Sequence, residues 1–149
     1  MEYANVWAKV LREDEKIDYE FSIGKRYRML GLIPSVFVGL IMLLGSPTIG
    51  VIIIGLGVFY FGYYLKVANA YALTDRRVLV HKGWLSTNTI SVEYKNITDV
   101  TVDEPFLERI IAKTGNLSIN TAGSGTKEVV LKHITTPYEV RKKLDKVRS

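Results

Sequence analysis

The chain has no cysteine and only two histidines, His81 and His133, among its 149 residues. The absence of cysteine excludes disulfides, thiolate metal sites and cysteine nucleophiles, and it is consistent with a reducing compartment such as the cytoplasm. A metal site would need carboxylates such as those of Asp99 or Asp103 beside the two histidines. Ordinary surface histidines are the simpler interpretation, so we predict no metal site and no cofactor.

No constellation of catalytic residues is recognisable in the sequence. Four acidic residues fall in predicted turns and at strand ends, where capping and solvation explain them better than a general acid and base pair. They are Asp75, Asp99, Asp103 and Glu104. Residues 122–126 are rich in glycine but lack the lysine and the following helix of a phosphate-binding loop, so they indicate a hairpin connection. The sequence therefore predicts that the protein is not an enzyme.

Charge is absent from a long central stretch. Residues 29–65 form a run of 37 residues without Asp, Glu, Lys, Arg or His. One crossing of a hydrocarbon core of about 30 Å takes about 20 apolar residues, so the run fits two short crossings. Gly45 and Pro47 mark the turn between them, because proline lacks a backbone donor and glycine tolerates turn conformations. The sequence predicts a transmembrane helical hairpin at residues 29–65, with spans of about 27–44 and 48–65.

The charges that flank the hairpin indicate its orientation. Lys25, Arg26 and Arg28 precede the first span and Lys66 follows the second, whereas the connecting turn is uncharged. Because positive charge is retained on the cytoplasmic side, we expect a multi-pass protein of the cell membrane with both termini in the cytoplasm.

Small residues recur at every fourth position of the first span, at Gly31, Ser35 and Gly39. This spacing places them on one helix face and favours close approach of the second span. The second span contributes four glycines of its own, Gly50, Gly55, Gly57 and Gly62. The alternative is that glycine is simply frequent in membrane helices.

Residues 1–28 precede the hairpin and contain two periodic segments. Val6, Trp7, Val10 and Leu11 have helical spacing and predict an amphipathic helix over residues 2–12. Such a helix either lies in the membrane interface or packs on the soluble domain, and its shortness and balanced charge favour packing. Residues 17–24 then alternate between apolar and polar side chains, which predicts a strand that joins a sheet formed after the hairpin.

Residues 66–149 change to short strands separated by turn signals, which is typical of one small soluble domain. The predicted strands are residues 68–74, 77–82, 87–94, 98–103, 117–121 and 127–133. A helix is predicted to start at Pro105 and to end at Gly115, with its apolar face formed by Phe106, Leu107, Ile110 and Ile111. A terminal helix starts at Thr136 with a capping-box pattern and carries an apolar stripe of Val140, Leu144 and Val147.

A series of strand and turn motifs runs through this domain. The motifs are residues 71–80 (YALTDRRVLV), Gly83 with Leu85-Ser86, residues 97–100 (ITDV), the apolar segment 106–111 with Arg109, Gly115, residues 117–123, and Val130-Leu131 with Ile134. Together with the preceding hairpin, they resemble the bacterial pleckstrin-homology-like (PH-like) domain of small membrane proteins. The resemblance implies an α+β membrane protein in which a bent antiparallel sheet forms a partly open barrel and a C-terminal helix closes one end.

The positive charge of the chain lies after the hairpin. Residues 1–28 hold six basic and six acidic residues, whereas residues 66–149 hold fourteen basic and nine acidic ones. A basic domain beside an anionic leaflet is attracted to it, by about 1 kcal/mol for each cation near the surface. We expect no nucleic acid partner, because the surplus is modest and the chain is anchored.

Two functions are compatible with these features. The first is a membrane-anchored, non-catalytic interaction module, whose sheet edge or groove beside the terminal helix binds another protein or a second copy of the chain. The alternative is binding of anionic lipid head groups by the basic domain. The candidate surface for either consists of Arg76, Arg77, Lys82, Lys95, Arg141, Lys142, Lys143, Lys146 and Arg148. The terminal cluster also has a purely structural explanation, because cations stabilise a helix C-terminus.

Two departures from the resemblance argue against a head-group pocket of the phosphoinositide type. Residues 91–94 (SVEY) are neutral to acidic where family members often carry positive charge. The connection Asp75-Arg76 is a tight turn, whereas phosphoinositide-binding relatives use a long basic first loop.

Overall fold

Seven strands and four helices make up the computed structural model, which describes residues 3–122 and 129–148. The strands are β1 (Ile17–Ser22), β2 (Asn69–Thr74), β3 (Arg77–Lys82), β4 (Asn88–Glu93), β5 (Ile97–Asp103), β6 (Thr114–Thr121) and β7 (Val129–Thr135). The helices are α1 (Ala4–Trp7), α2 (Lys25–Gly45), α3 (Pro47–Val67) and α4 (Pro137–Arg148). The predicted hairpin connection at residues 123–126, the start of the strand predicted at 127 and the side chain of Arg148 lie outside the described residues.

The strands form two antiparallel sheets with the orders β1-β2-β3-β4 and β5-β6-β7. An isolated bridge between Ile23 and Ile134 joins the sheets at one corner, and a 3-10 turn (Tyr94–Asn96) leads from β4 to β5 at another. Val140 and Leu144 of α4 are buried in the core between the sheets. This arrangement confirms the PH-like fold, whereas Val147, predicted to belong to the same buried stripe, is 39% exposed.

Strand β1 pairs antiparallel with β2, although the whole hairpin separates them in the sequence. The Ser22 hydroxyl donates to the Asn69 carbonyl oxygen, and its Oγ atom also lies 3.1 Å from the Lys66 carbonyl oxygen. The chain therefore leaves the sheet at the end of β1 and returns to it at an adjacent point. The hairpin is, in effect, the connection between two neighbouring strands.

Helices α2 and α3 each contain 21 residues and are long and apolar enough to cross a membrane. Ser46 alone separates them, with Gly45 ending α2 and Pro47 in the first turn of α3. Within α3, the stretch Val58–Tyr64 next to the domain is π-helical. The predicted spans lie inside these two helices.

The small-residue face of α2 lies against α3. A Cβ added at Gly31 would overlap the Phe61 ring, one at Gly39 would overlap Ile54, and one at Gly57 would overlap Ser35. Gly55, in contrast, has no neighbour within 4 Å of such an atom. Close packing therefore explains part of the glycine content of α3 but not all of it.

The N-terminal segment packs on the domain. Trp7 is fully buried and contacts Ala70, Ala72 and Leu79, which lie on the sheet face opposite the main core. This placement confirms the packing interpretation over the interfacial one. The helix itself is much shorter than predicted, because only residues 4–7 are helical.

The segment that follows β5 differs from its prediction. Residues 106–112 are helical, as the predicted start at Pro105 requires, and the part Glu108–Ala112 is π-helical. Residues 114 and 115, however, already belong to β6 instead of ending a helix. The predicted apolar face is exposed, with Phe106 73% accessible. Phe106 and its neighbours thus contribute nothing to the core.

The antiparallel strands give the domain two distinct ends. The proximal end, next to the hairpin, contains Ser22, Asn69, the β3–β4 connection (residues 83–87) and the β5–β6 connection (residues 104–113). The distal end contains the Asp75-Arg76 turn, the Tyr94–Asn96 turn and the start of β1.

Helix α4 runs from the proximal to the distal end. Pro137 at its start lies beside Gly115, and Lys143 in the middle of the helix lies beside Tyr19 of β1. The 12 residues of α4 span about 18 Å.

Candidate functional site: a distal groove beside the C-terminal helix

A groove separates the last turns of α4 from β1. It has a volume of about 360 Å³ and is lined by Asp18, Tyr19, Leu73, Lys143, Lys146 and Val147. The floor is apolar, because Leu73 is buried and the tyrosine ring and valine side chain flank it. Two ammonium groups from α4 and one carboxylate from β1 stand at its sides.

The sequence positions both walls of the groove. Burial of Val140 and Leu144 fixes the rotation of α4 about its axis, so Lys143 and Lys146 are turned toward β1. The Lys143 ammonium lies 3.5 Å above the centre of the Tyr19 ring. Attraction between a cation and an aromatic face holds this side chain over the groove.

An open strand edge forms part of this site. β1 is the first strand of its sheet and pairs on one side only with β2. The chain reaches the other sheet just beyond the proximal end of the strand, through the bridge at Ile23 and a hydrogen bond from the Gly24 N–H to the His133 carbonyl oxygen. The backbone beside Asp18 and Tyr19 therefore borders the groove as a sheet edge.

Most of the predicted basic residues lie at the distal end. Arg76 forms a 3.5 Å ion pair with Asp75, and Lys95 forms one of 2.8 Å with Glu93. Lys142 is exposed, and Arg141 lies 3.9 Å from Asp145 one helical turn away. Local carboxylates thus offset several of these cations, and Lys143 and Lys146 are the two that line the groove.

Arg77 does not belong to the exposed surface on which it was predicted. Its Nε and Nη2 atoms donate to the Glu15 carboxylate at 2.7 and 2.6 Å, and the Glu15 side chain is fully buried. Arg77 also donates to Ser91 Oγ and to the Val10 carbonyl oxygen, each at 3.0 Å. This pair ties the N-terminal segment to β3, and it is structural.

The ion pair changes the titration of both partners. Hydrogen bonds from Arg77 lower the pKa of Glu15 to about 2, although burial of the carboxyl acts in the opposite direction. The same bonds raise the pKa of Arg77. Thr74 Oγ1 donates a further bond of 2.8 Å to the carboxylate.

Lys82 is also removed from the predicted surface. It lies at the proximal end, is half-buried, and its Nζ atom donates a 3.0 Å bond to the Val130 carbonyl oxygen. Burial, with a smaller contribution from Lys132, lowers its pKa. Lys82 therefore does not line the groove beside α4.

The two histidines have separate surroundings. His81 is buried, its Nδ1 atom lies 3.2 Å from Thr89 Oγ1, and burial lowers its pKa. His133 contacts the Glu108 carboxylate at 2.9 Å and stacks on Tyr27 of α2. Within residues 3–122 and 129–148 no group of three potential ligands is arranged to hold a metal ion.

Two antiparallel sheets with a C-terminal helix packed on the core between them are the fold of a PH-like domain. The model of the family described as bacterial PH domain matches residues 28–148, and the chain belongs to this family. Proteins of this fold are generally interaction modules without catalytic activity. The matched region includes both apolar helices as well as the strands that follow them.

Solved structures share the fold at low sequence identity. One is a DUF1696 family protein with a pleckstrin-homology domain from Shewanella loihica PV-4, with a TM-score of 0.56, 11% identity, and coverage of 99% of this chain and 92% of that one. Another is a pleckstrin homology domain from Shewanella amazonensis SB2B, with a TM-score of 0.55, 12% identity, and coverage of 99% and 86%. Comparison with curated protein sequences gives no match.

Proposed function

We propose that this protein is a membrane-anchored, non-catalytic module that binds a protein partner in the distal groove. Helices α2 and α3 form the anchor, with both chain termini in the cytoplasm. The groove binds an extended segment that combines apolar side chains with acidic ones. The observation that carries the proposal is the position of the groove, at the end of the domain opposite the hairpin.

The length of the strands separates the groove from the membrane. β2 has six residues and runs from the proximal to the distal end, a distance of about 20 Å. The Debye length at physiological ionic strength is about 8 Å, so charges on opposite ends of the domain are largely screened from each other. Lys143 and Lys146 are therefore poorly placed to attract the lipid head groups beside the hairpin, and the groove faces the cytoplasm.

The chemistry of the groove favours a particular kind of segment. Tyr19, Leu73 and Val147 offer apolar contact, while Lys143 and Lys146 offer ammonium donors to carboxylates. Its volume lies at the lower end of the range for ligand sites, which suits a few side chains of a peptide. The free edge of β1 adds main-chain donors and acceptors for an extended segment.

The test is peptide selection by the full-length protein in nanodiscs of neutral phospholipid. A display library of random peptides is enriched on the wild-type protein, on Lys143→Glu/Lys146→Glu, and on a control with Arg76→Glu/Lys95→Glu. We expect the wild type and the control to enrich peptides with acidic and apolar residues. The groove variant should lose these peptides and enrich basic ones instead.

Two results would contradict this function. One is enrichment of no common class of peptide by the wild type. The other is equal binding of the enriched peptides by the groove variant, which would move the site elsewhere. Anionic nanodiscs provide the comparison with lipid binding. Peptide binding that is abolished by anionic lipid and restored by added salt, which screens the attraction to head groups, would favour the head-group alternative.

A further inference from the structure

Six large apolar side chains are exposed at the proximal end of the domain, and we call them the apolar rim. They are Trp84 and Leu85 in the β3–β4 connection, and Phe106, Leu107, Ile110 and Ile111 in the β5–β6 connection. Leu85 is 90% and Leu107 67% accessible. Apolar surface concentrated in this way on a domain marks an interaction site.

The rim is continuous with the exposed surface of the two apolar helices. The Trp84 ring lies 5.6 Å from that of Phe59 and 6.1 Å from that of Tyr63, both on α3. On the other helix, Ile111 shares a surface hollow with Met29 and Ile33 of α2. The two parts of the rim thus flank the base of the hairpin, one beside each helix.

Polar contacts hold the β5–β6 part of the rim with its apolar side outward. Glu108 contacts His133 Nδ1 at 2.9 Å and accepts a weaker bond from Thr114 Oγ1 at 3.4 Å. Ala112 is buried, and Lys113 ends the π-helical segment in the left-handed region with φ of 51°. The domain therefore binds the polar side of this segment, while four apolar residues point away from it.

The β3–β4 part is shaped by its backbone. Gly83 has φ of +97°, and a Cβ at this position would overlap the Ser86 carbonyl oxygen. The tight turn that results presents Leu85 at its tip. In both the β3–β4 and the β5–β6 connection, the local backbone and its contacts therefore hold the apolar side chains in an exposed position.

We propose that the apolar rim inserts into the interfacial layer of the same leaflet that the hairpin enters from the cytoplasm. This inference rests on the proposed membrane anchor. The proposed occupant is lipid, because the rim adjoins the exposed apolar surface of both helices that would cross the bilayer. Four exposed cations, Lys25, Arg26, Arg109 and Lys113, lie next to the rim residues in the sequence. Such cations would pair with lipid phosphates once the rim is inserted.

Insertion would fix the orientation of the domain. A hairpin alone leaves a domain free to tilt, whereas contacts on two sides of the hairpin restrict tilting. The distal groove is then directed away from the bilayer, where a cytoplasmic segment reaches it.

The experiment measures depth with nitroxide labels on single cysteines, which the cysteine-free chain permits without background. Leu85→Cys and Leu107→Cys report the rim, Val51→Cys in α3 is the positive control, and Lys142→Cys on α4 is the aqueous control. Each full-length variant is reconstituted into bilayers, and collision rates with oxygen and with a water-soluble nickel chelate are compared. All four side chains are exposed, so the labels leave the packing undisturbed.

We expect the labels at positions 51, 85 and 107 to collide preferentially with oxygen, and the label at 142 with nickel. Nickel preference at either 85 or 107, with oxygen preference at 51, would overturn the inference and leave the membrane anchor intact. Nickel preference at 51 as well would overturn the anchor itself. The two failures are therefore distinguishable within one set of samples.

Discussion

The buried ion pair between Glu15 and Arg77 provides the sharpest test of how the N-terminal segment holds the domain together. The substitution Glu15→Gln keeps the shape of the side chain but removes its charge, so the guanidinium stays buried opposite a neutral amide. We expect a large loss of stability, because one partner of a buried pair is then left uncompensated.

The magnitude follows from the titration of Glu15. A carboxyl with a pKa of 4.5 in the unfolded chain and about 2 in the folded protein stabilises the folded state by about 3 kcal/mol at neutral pH. Because the pKa is depressed on folding, this contribution is present in full above pH 4.5 and is lost as the pH falls toward about 2. The difference between wild type and Glu15→Gln should therefore shrink across that range.

The assay is urea unfolding of the full-length protein in neutral detergent, followed by the fluorescence of buried Trp7 in a Trp84→Phe background. We expect Glu15→Gln to lower the free energy of unfolding by about 3 kcal/mol at neutral pH. The loss should be less than about 1 kcal/mol near pH 2. A loss that is the same at both pH values would refute the electrostatic reasoning, and Glu13→Gln on the exposed surface is the matched control.

Three further predictions concern the hairpin. Residues 66–149 alone lack β1 and should not fold. A chain in which a short flexible linker replaces α2 and α3 keeps β1 and should give a cooperative unfolding transition. Folding of residues 66–149 alone would contradict the need for β1 in the sheet. Gly31→Leu should destabilise the pairing of α2 and α3 by about 1–3 kcal/mol in a thermal shift assay, whereas Gly55→Leu, with open space around it, should not. A membrane-impermeant maleimide should label Ser46→Cys in sealed cells but Lys142→Cys only after lysis, and the reverse pattern would invert the topology.

Local pattern was sufficient for much of the fold. The predicted bounds of β3 coincide with the observed ones, and the alternation in β1 is sufficient to predict a strand that joins the sheet. The small residues of α2 identified its contact face. These features depend on neighbours within a few residues or on periodicity, which a single sequence contains.

Long-range contacts were the main source of error. Arg77 looked like a surface cation beside a turn, but its partner Glu15 lies 62 positions earlier and no local signal links them. The apolar residues after Pro105 have helical spacing, which ordinarily predicts a buried face. In the structure this segment lies beside α2, so its apolar face adjoins the hairpin instead of the core.

The groove itself was predicted only in outline. The PH-like resemblance implies a groove beside the terminal helix, and the sequence shows a basic cluster on that helix. The strand pairing is needed to tell the two ends of the domain apart. Lys82 and Lys143 are grouped on one surface in the sequence-based prediction, whereas Lys82 bonds the Val130 carbonyl oxygen and Lys143 lies over the Tyr19 ring at the groove.

The most direct measurement is photocrosslinking from the groove in intact membranes. A photoreactive amino acid replaces Val147 in the full-length protein, and the adducts are identified by mass spectrometry with and without Lys143→Glu/Lys146→Glu. We predict a peptide adduct that contains acidic and apolar residues and that disappears in the charge-reversal variant. An adduct with phospholipid, or a peptide adduct that persists after charge reversal, would contradict a distal groove that binds a protein segment.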